Sequence, residues 1–342
     1  MRVGIIGFGF MGRMHHRCWT AIPGAEVAAI CDADPAAVTD SSRGRGNIAG
    51  AEATADLEGV EIYSDVGEML ARERLDAVSI TVPTHLHARW SIAALDAGVH
   101  VLCEKPMALT VEDGLRMIEA AERGGKILQI GHCIRFWPEY AKAREIIAGG
   151  SHGRVIAATF GRFAATAHVK AGGWFTDQGR SGGMALDLHI HDSDFIQHVF
   201  GLPRSVVSRG ASGSAGGIAH ICTQYRYDDD KLVSAEGGWA MTPSFGFVMR
   251  FHVVMENATI AFEHGRSPSL RLCPANGEPS VPAIGGGDGY SRQIAHFAAR
   301  VRGEAVEPVI TPRQALDSLR MVQAELESAR KGAEVALDWV KT

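Results

Sequence analysis

The sequence predicts an α/β protein of two domains: a doubly wound parallel sheet in residues 1–131, then an α+β domain with a large, mostly antiparallel, open-faced sheet in residues 132–342. Three observations predict this arrangement. The chain of 342 residues exceeds what one ordinary hydrophobic core accommodates. Strand and helix patterns alternate as far as residue 131, which is typical of parallel sheets. Beyond that point, alternating apolar runs separated by short turns indicate an antiparallel sheet with one solvated or partner-covered face.

The composition excludes several classes of function. Lys and Arg number 34 against 39 Asp and Glu, a formal charge of −5, and the sequence has no Lys/Arg-rich block. We therefore expect neither nucleic acid nor an anionic membrane as a partner. No apolar run is long enough to span a bilayer, and a strand pattern begins at Val3, so we expect no signal peptide. Six scattered cysteines fit a reducing compartment, and we expect a cytoplasmic protein.

The first strand pattern, residues 2–6, leads into a glycine motif and then a helix pattern that ends near residue 20. The motif G-x-G-x-x-G stands at Gly7, Gly9 and Gly12. The next strand pattern, residues 27–31, is followed by Asp32. A glycine motif with a strand before it, a helix after it and an acid at the end of the next strand is the context of a dinucleotide fingerprint.

Each glycine of this motif has a physical role. Gly7 permits the tight turn, Gly9 lets the backbone approach a pyrophosphate, and Gly12 lets the helix pack closely. Backbone N–H groups at the start of the helix are expected to receive the phosphates. The residues between the glycines, which we also assign to cofactor binding, are Phe8, Phe10 and Met11.

Asp32 predicts which dinucleotide binds. Its carboxylate can accept hydrogen bonds from both ribose hydroxyls of an adenosine and would repel a 2′-phosphate. Ala33 follows it, so no Arg stands there to bind that phosphate. We therefore expect NAD rather than NADP; the alternative is a Gly-rich turn that binds nothing.

The alternation continues through the rest of the first domain. Asp34-Pro35 and Asp65 are expected to open helices, and Thr110 with Asp113 resembles a capping box. Further strands are expected at 77–82, 99–103 and 126–131, and further helices at 87–97 and 110–124.

Ligands of such sheets bind at the carboxyl ends of the strands. Thr81, Val82 and Pro83 lie at one such end, and Glu104 and Lys105 lie at another. Because Lys105 stands between a strand end and a proline, we expect it to be held near the cofactor. The alternative is a solvated surface lysine.

In the second domain, Asp228-Asp229-Asp230 is interpreted as a solvated hairpin turn rather than a metal site. A helix is expected at 312–331, opened by Thr311-Pro312 and stopped by Gly332, with an apolar stripe that indicates core packing. Strand patterns occur at 153–164, 205–209, 219–227, 232–240, 246–255, 258–264 and 270–273.

Residues 182–194 concentrate ionisable side chains between apolar ones, just after a glycine pair that can open a helix. Asp187 and His191 are four residues apart, so on a helix they share one face. A carboxylate beside a histidine can accept and return a proton near neutral pH. For Asp187, a helix-capping role is the structural alternative.

Together these motifs resemble the glucose–fructose oxidoreductase / inositol dehydrogenase family, also called Gfo/Idh/MocA. Two positions depart from the usual pattern: Met184 replaces the third Gly of a common triplet, and His189 stands where a Gly is more usual. The residues that carry the resemblance are 7–12 with His15, Asp32, residues 81–87, Glu104-Lys105-Pro106, Gly182-Gly183, Asp187, His191, Asp194, Tyr290 and the Thr-Pro pair before the last helix.

The resemblance implies a Rossmann domain, a sheet domain that often forms subunit contacts, and NAD(P)-dependent redox chemistry on sugars, polyols or their derivatives. It also implies that Lys105 and His191 face the nicotinamide and that Asp187 helps to orient the substrate. His191 is then the expected base, and the Lys105 ammonium stabilises the developing alkoxide. Cofactor contacts are implied for Gly7, Phe8, Gly9, Phe10, Met11, Gly12, Asp32, Thr81, Val82, Pro83, His87, Glu104 and Lys105.

Three further residues are candidates for contact with the small-molecule substrate. Arg135 can meet an anionic or hydroxylated group, but a structural Arg stacked on aromatic rings fits the sequence equally well. Trp174 and Tyr290 can line a pocket or simply pack in the core.

Rival functions stay open. His189-x-His191 with Asp192 and Asp194 resembles the ligand cluster of a metal-dependent hydrolase, as does His85-x-His87. That interpretation leaves the glycine motif unused, and we expect no metal. A regulatory use of NAD, or a redox-neutral, NAD-dependent glycoside cleavage, is compatible with the same motifs. An apolar face on the second sheet predicts a homodimer or homotetramer.

Overall fold

The computed structural model describes residues 1–40, 55–165, 173–213 and 217–339, and the chain forms two compact units. The first unit contains residues 1–136 and 288–316, and the second contains 137–287 and 317–342. The sequence-based division at residues 131 and 132 differs from this, because it assigned all later residues to the second domain.

Residues 288–316 rejoin the first unit late in the chain. Contacts with residues far away in sequence hold them there, and no local sequence pattern predicts these contacts. The Gln129 side chain donates to the carbonyl of Gln293 at 3.3 Å, and the rings of Trp19 and Phe297 pack edge to face at 6.1 Å.

The first unit contains the predicted parallel sheet. Its strands pair in the order β3-β2-β1-β4-β5-β6, every neighbouring pair is parallel, and this is the strand order of a Rossmann domain. The strands are β1 (Arg2–Ile6), β2 (Glu26–Cys31), β3 (Glu61–Tyr63), β4 (Ala77–Ile80), β5 (His100–Glu104) and β6 (Leu128–Gly131).

The second unit contains the predicted antiparallel sheet. Its strands pair in the order β13-β12-β11-β7-β10-β9-β8-β14. Of the described pairs in this second sheet, only β7–β10 is parallel. The strands are β7 (Val155–Ala164), β8 (Ser205–Ser212), β9 (Ile218–Arg226), β10 (Leu232–Gly238), β11 (Phe247–Met255), β12 (Ala258–Glu263), β13 (Leu270–Pro274) and β14 (Val335–Ala336).

The helices begin where the sequence offers caps. Asp65 accepts a hydrogen bond from the Glu68 N–H at 2.8 Å, and Thr110 accepts one from the Asp113 N–H at 3.1 Å, as expected of N-cap residues. The helices of the described residues are α1 (Phe10–Thr20), α2 (Ala36–Thr39), α3 (Val66–Arg72), α4 (His87–Asp96), α5 (Val111–Gly124), α6 (Pro138–Ala148), α7 (Gln178–Ser181), α8 (Ile190–Phe200), α9 (Gly289–Val301) and α10 (Pro312–Lys331). None of them is both long and apolar enough to cross a membrane.

Helix α8 packs on the second sheet through aromatic rings and one buried ion pair. Tyr140 lies edge to face with Phe195 of α8 at 4.7 Å and with Phe251 of β11 at 4.8 Å. Arg162 of β7 meets Asp192 of α8 twice, at 2.9 and 3.2 Å, and the two side chains are only 3% and 0% exposed. Because a buried charge without a partner is strongly unfavourable, this pair fixes the start of α8 against the sheet.

We predict that Asp192→Asn lowers the free energy of unfolding by about 3–5 kcal/mol, because it leaves the buried Arg162 guanidinium without a counter-charge. Chemical denaturation measures this loss. The matched control is Asp229→Asn, which breaks an ion pair with Lys231 at 2.7 Å in which the Asp side chain is 60% exposed. That variant is expected to lose about 1 kcal/mol or less, and equal losses for both would contradict the prediction.

Candidate active site

The glycine motif forms a tight turn between β1 and α1. Gly7 has φ +90°, and a Cβ there would lie 2.9 Å from the backbone of Thr81. A Cβ on Gly12 would overlap the carbonyl oxygen of Gly7. The Thr81 hydroxyl donates to that same carbonyl at 2.6 Å. Two of the three glycines are therefore required by the protein's own packing.

Gly9 is different, because a Cβ at this position would meet no protein atom within 4 Å. Gly9 is also the N-cap residue of α1, with no side-chain cap and no acidic residue in the first turn. The N–H groups at a helix start lack intrahelical partners and attract anions. The structure thus leaves open space in front of anion-binding N–H groups, which fits a bound pyrophosphate.

Asp32 holds the glycine turn from the end of β2. Its Oδ2 accepts from the Phe8 N–H at 2.7 Å, and its Oδ1 accepts from the Asp34 N–H at 2.9 Å. Each carboxylate oxygen has a second lone pair for a ribose hydroxyl. The Phe8 ring is 1% exposed and lies under the Arg13 guanidinium at 4.8 Å, so only the main chain of Phe8 is available to a ligand.

His87 links the loops that follow β4 and β5. Its Nδ1 lies 2.8 Å from the Pro106 carbonyl oxygen, and its Nε2 lies 3.0 Å from that of Val82. Burial lowers the pKa of His87, although both carbonyls and Glu104 act in the opposite direction. A neutral ring carries one N–H and donates to one of these carbonyls. His87 therefore positions the residues next to Val82 and Pro106.

Lys105 follows a buried carboxylate. Glu104 is 6% exposed, and its Oε1 lies 3.0 Å from His15 Nε2, while its Oε2 accepts from the Lys105 N–H at 3.2 Å. Burial alone would raise the pKa of Glu104, but the His15 hydrogen bond and the charges of His15 and Lys105 hold it below its usual value. A carboxylate whose charged form is favoured therefore lies beside Lys105, which is itself partly exposed.

In the second unit, the glycine pair leads into an unusual turn. Gly182 and Gly183 have φ values of +81° and +77°, a conformation that favours glycine. Residues Ala185–His189 form a π-helical turn that continues directly into α8. The expected helix is thus found, but its first turn is wider than an α-helical turn, a feature that is frequent at functional sites.

This turn exposes two residues of the predicted set. From Gly183 to Gln197, every residue is buried except Asp187 and His191. Asp187 lies in the π-helical turn and His191 is the second residue of α8. An acid and a histidine are thus the accessible groups of an otherwise buried segment.

The other polar residues of this segment point to separate partners. His189 Nε2 lies 2.9 Å from Glu325 Oε2, Asp192 binds Arg162, and Asp194 Oδ1 accepts from the Ser318 hydroxyl at 2.7 Å. Within the described ranges, no three His, Cys, Asp or Glu side chains converge as metal ligands would. His189, Asp192 and Asp194, which suggested a metal-dependent hydrolase, therefore face different partners.

The three candidate substrate contacts have different surroundings. Arg135 is 2% exposed, and its Nη1 donates to the Val309 carbonyl at 3.2 Å and to Gln314 Oε1 at 3.0 Å. Tyr290 is 8% exposed in the first turn of α9. Trp174 is partly exposed. Arg135 thus makes structural contacts within the first unit, and the three substrate assignments stay predictions.

Sequence patterns alone do not identify the partners that hold this segment, which are Arg162, Tyr225 and Glu325. They lie in other elements, so no spacing within residues 182–194 points to them. One signal did exist, because Glu325 lies on the buried face of α10 among apolar residues.

Two family profiles match the chain in succession. One, described as an oxidoreductase family with an NAD-binding Rossmann fold, matches residues 1–132. The other, described as the GFO/IDH/MocA C-terminal domain, matches residues 140–261. Together they cover the glycine motif, Lys105, Asp187 and His191.

Individual proteins are similar to parts or all of the chain. Inositol 2-dehydrogenase 2 of Saccharopolyspora erythraea is 39% identical over 158 residues, which span 46% of this chain and 43% of that protein. The scyllo-inositol 2-dehydrogenase (NAD(+)) of Bacillus subtilis is 28% identical over 99% of this chain and 96% of its own length. A structure of levoglucosan dehydrogenase with NADH and levoglucosan has a TM-score of 0.83 at 23% identity, covering 99% of this chain and 100% of that one. At this identity the structural match shows the fold.

We predict that Gly9→Ala weakens NADH binding at least about tenfold, since the added methyl fills the space in which the pyrophosphate approaches the backbone. Its melting temperature is expected to stay within about 2 °C of the wild type, because no protein atom meets the methyl. Fluorescence titration of NADH and thermal unfolding measure the two effects.

Two controls separate binding from folding. Gly286→Ala also adds a methyl in open space and is expected to change neither quantity, whereas Gly12→Ala is expected to impair both. An unchanged NADH affinity in Gly9→Ala would show that the dinucleotide does not pass over this glycine.

We predict that Asp32→Asn raises the ratio of NADP to NAD affinity by about tenfold or more. The amide removes the charge that repels a 2′-phosphate and keeps one oxygen for the Phe8 N–H. Parallel titrations with NADH and NADPH measure the ratio. Asp34→Asn, two residues further along the chain, is the control. A ratio that does not change would contradict the role given to Asp32.

Proposed function

Because the chain belongs to the GFO/IDH/MocA oxidoreductase family, we propose that it oxidises a secondary hydroxyl of a sugar, polyol or sugar derivative with NAD. The observation that supports this most is the exposure of Asp187 and His191 from an otherwise buried segment. The Bacillus subtilis relative, similar over the whole chain, is named for an inositol, which supports a small polyhydroxylated substrate.

NAD, when bound, supplies a hydride acceptor. Gly7, Gly9 and Gly12 with the N–H groups of α1 would hold its pyrophosphate, and Asp32 would hold the adenosine ribose. The loop from Thr81 to Pro83, positioned by His87, and the Glu104-Lys105 strand end would complete this side of the site.

His191 is proposed as the base that takes the hydroxyl proton of the substrate. Its Nδ1 is buried, so Nε2 is the ring nitrogen assigned to this proton. An imidazole titrates near neutral pH and can both accept and return a proton. Asp187, the other accessible polar group, is assigned to hold a neighbouring substrate hydroxyl.

Lys105 is proposed to stabilise the negative charge that develops on the substrate oxygen as its proton leaves. An ammonium group is suited to this role because it carries a compact charge with three donors. We further assign Trp174 and Tyr290 to the walls around the substrate.

We also propose a homodimer or homotetramer in the cytoplasm. Exposed apolar side chains on the second sheet, Ile156 at 42% and Leu232 at 54% exposure, support association of subunits. Free cysteines support a reducing compartment. Burial raises the pKa of Cys31 to about 11, so its thiol stays protonated and packs as a small apolar group.

We predict that His191→Ala and Lys105→Ala each lower kcat for NADH formation by about 10²–10⁴, the usual contribution of acid–base groups. Inositols, aldoses, glycosides and sugar acids with NAD and NADP form the substrate panel, and absorbance at 340 nm measures turnover.

Matched controls are His198→Ala on the same helix and Lys126→Ala on the first unit, both expected to keep near wild-type kcat. Near wild-type turnover in His191→Ala and Lys105→Ala would refute the assignment. Release of an aglycone from a glycoside without net NADH would instead support the redox-neutral reaction.

A further inference from the structure

A buried acid–imidazole contact lies directly behind the turn that exposes Asp187 and His191. His189 Nε2 is 2.9 Å from Glu325 Oε2, and both side chains are 0% exposed. The two atoms lack the alignment of an ordinary hydrogen bond, so the contact is one of close packing between two buried polar groups. His189 is the residue at which the sequence departs from the glycine that is usual in this family.

The second oxygen of Glu325 binds the other side of the same turn. Glu325 Oε1 accepts from the Ser193 hydroxyl at 2.9 Å and from the Tyr225 hydroxyl at 2.9 Å. Burial and the charge of Glu325 raise the pKa of Tyr225 well above its usual value, so the phenol stays a donor. One carboxylate thus bridges residues 189 and 193, the buried neighbours on either side of His191.

Strand β10 of the second sheet leaves space for the His189 imidazole. A Cβ on Gly237 of β10 would lie 2.6 Å from His189 Nδ1, closer than packed atoms approach. The space that a side chain at 237 would fill is therefore used by the His189 ring. His189 therefore packs against both Glu325 and Gly237, and the three residues come from three different elements.

We propose that His189 and Glu325 are positioning residues that set the place of His191 and Asp187 relative to the reacting hydroxyl. The inference rests on the proposed function, because the residues being positioned are those assigned to the substrate. A misplacement of about 1 Å can cost roughly 10²-fold in rate. Loss of the pair is therefore expected to reduce kcat even though neither residue touches substrate.

Gly237→Ala is the sharpest test, because it displaces the His189 ring without changing a polar group. We expect it to lower kcat by about 10–100-fold while the Kd for NADH stays within about twofold, since the dinucleotide contacts lie in the first unit. In a His189→Ala background the new methyl meets only the Cβ of residue 189, at 3.2 Å, so adding Gly237→Ala is expected to change kcat little further. Glu325→Gln is expected to match Gly237→Ala, and Tyr225→Phe serves as the milder variant if Glu325→Gln does not fold.

Ser318→Ala is the matched control, since it removes another buried contact of α8, the 2.7 Å hydrogen bond to Asp194. It is expected to lower the melting temperature with kcat unchanged. Gly237→Ala and Glu325→Gln could also lower the melting temperature and leave kcat unchanged, in a reaction that His191→Ala abolishes. That result would overturn the positioning role and leave the proposed function standing.

Hydrogen exchange of residues 185–191 provides a readout that needs no substrate. Faster exchange in Glu325→Gln, but not in Ser318→Ala, is expected and would support the pair as the constraint on this turn. Equal exchange in the two variants would overturn the inference, even if His191→Ala showed that the proposed reaction itself is wrong.

Discussion

The need to pair buried charges at the start of α8 is the constraint on which the second unit depends. Arg162 of β7 pairs with Asp192 where a lone charge would be strongly unfavourable, and Glu325 of α10 lies against His189 with both side chains fully buried. Since the partners come from the sheet and from a distant helix, the turn takes its shape only when the whole unit has folded. Asp187 and His191 stay partly exposed while their neighbours are buried.

In the first unit, small residues rather than charges set the position of the glycine turn. Gly7 and Gly12 are glycines because neighbouring backbone atoms leave no room for a Cβ, while Gly9 faces open space. The same turn is braced by Asp32 and by Thr81. In both units, buried contacts therefore hold a few accessible groups in place. This is expected of a site that must fix its reacting groups before the substrate binds.

The fold and the accessible site residues could be predicted from local patterns. The strands that lead into Gly7, Asp32 and Lys105 are short apolar runs, and the caps at Asp65 and Thr110 mark helix starts. Helices α6 and α9 were not predicted, although Pro138 stands at the first position of α6 and Asp288 forms a capping box with Ser291. The π-helical turn and the partners Arg162 and Glu325 could not be derived, because they depend on contacts between residues far apart in sequence.

The central proposal is that Lys105 and His191 both act on one substrate hydroxyl. A crystal structure of the protein with NADH and the best substrate of the panel tests it most directly. We expect Lys105 Nζ and His191 Nε2 each to reach the same hydroxyl oxygen within about 3.2 Å, or through one water. A bound substrate whose reacting hydroxyl is reached by neither residue would contradict it.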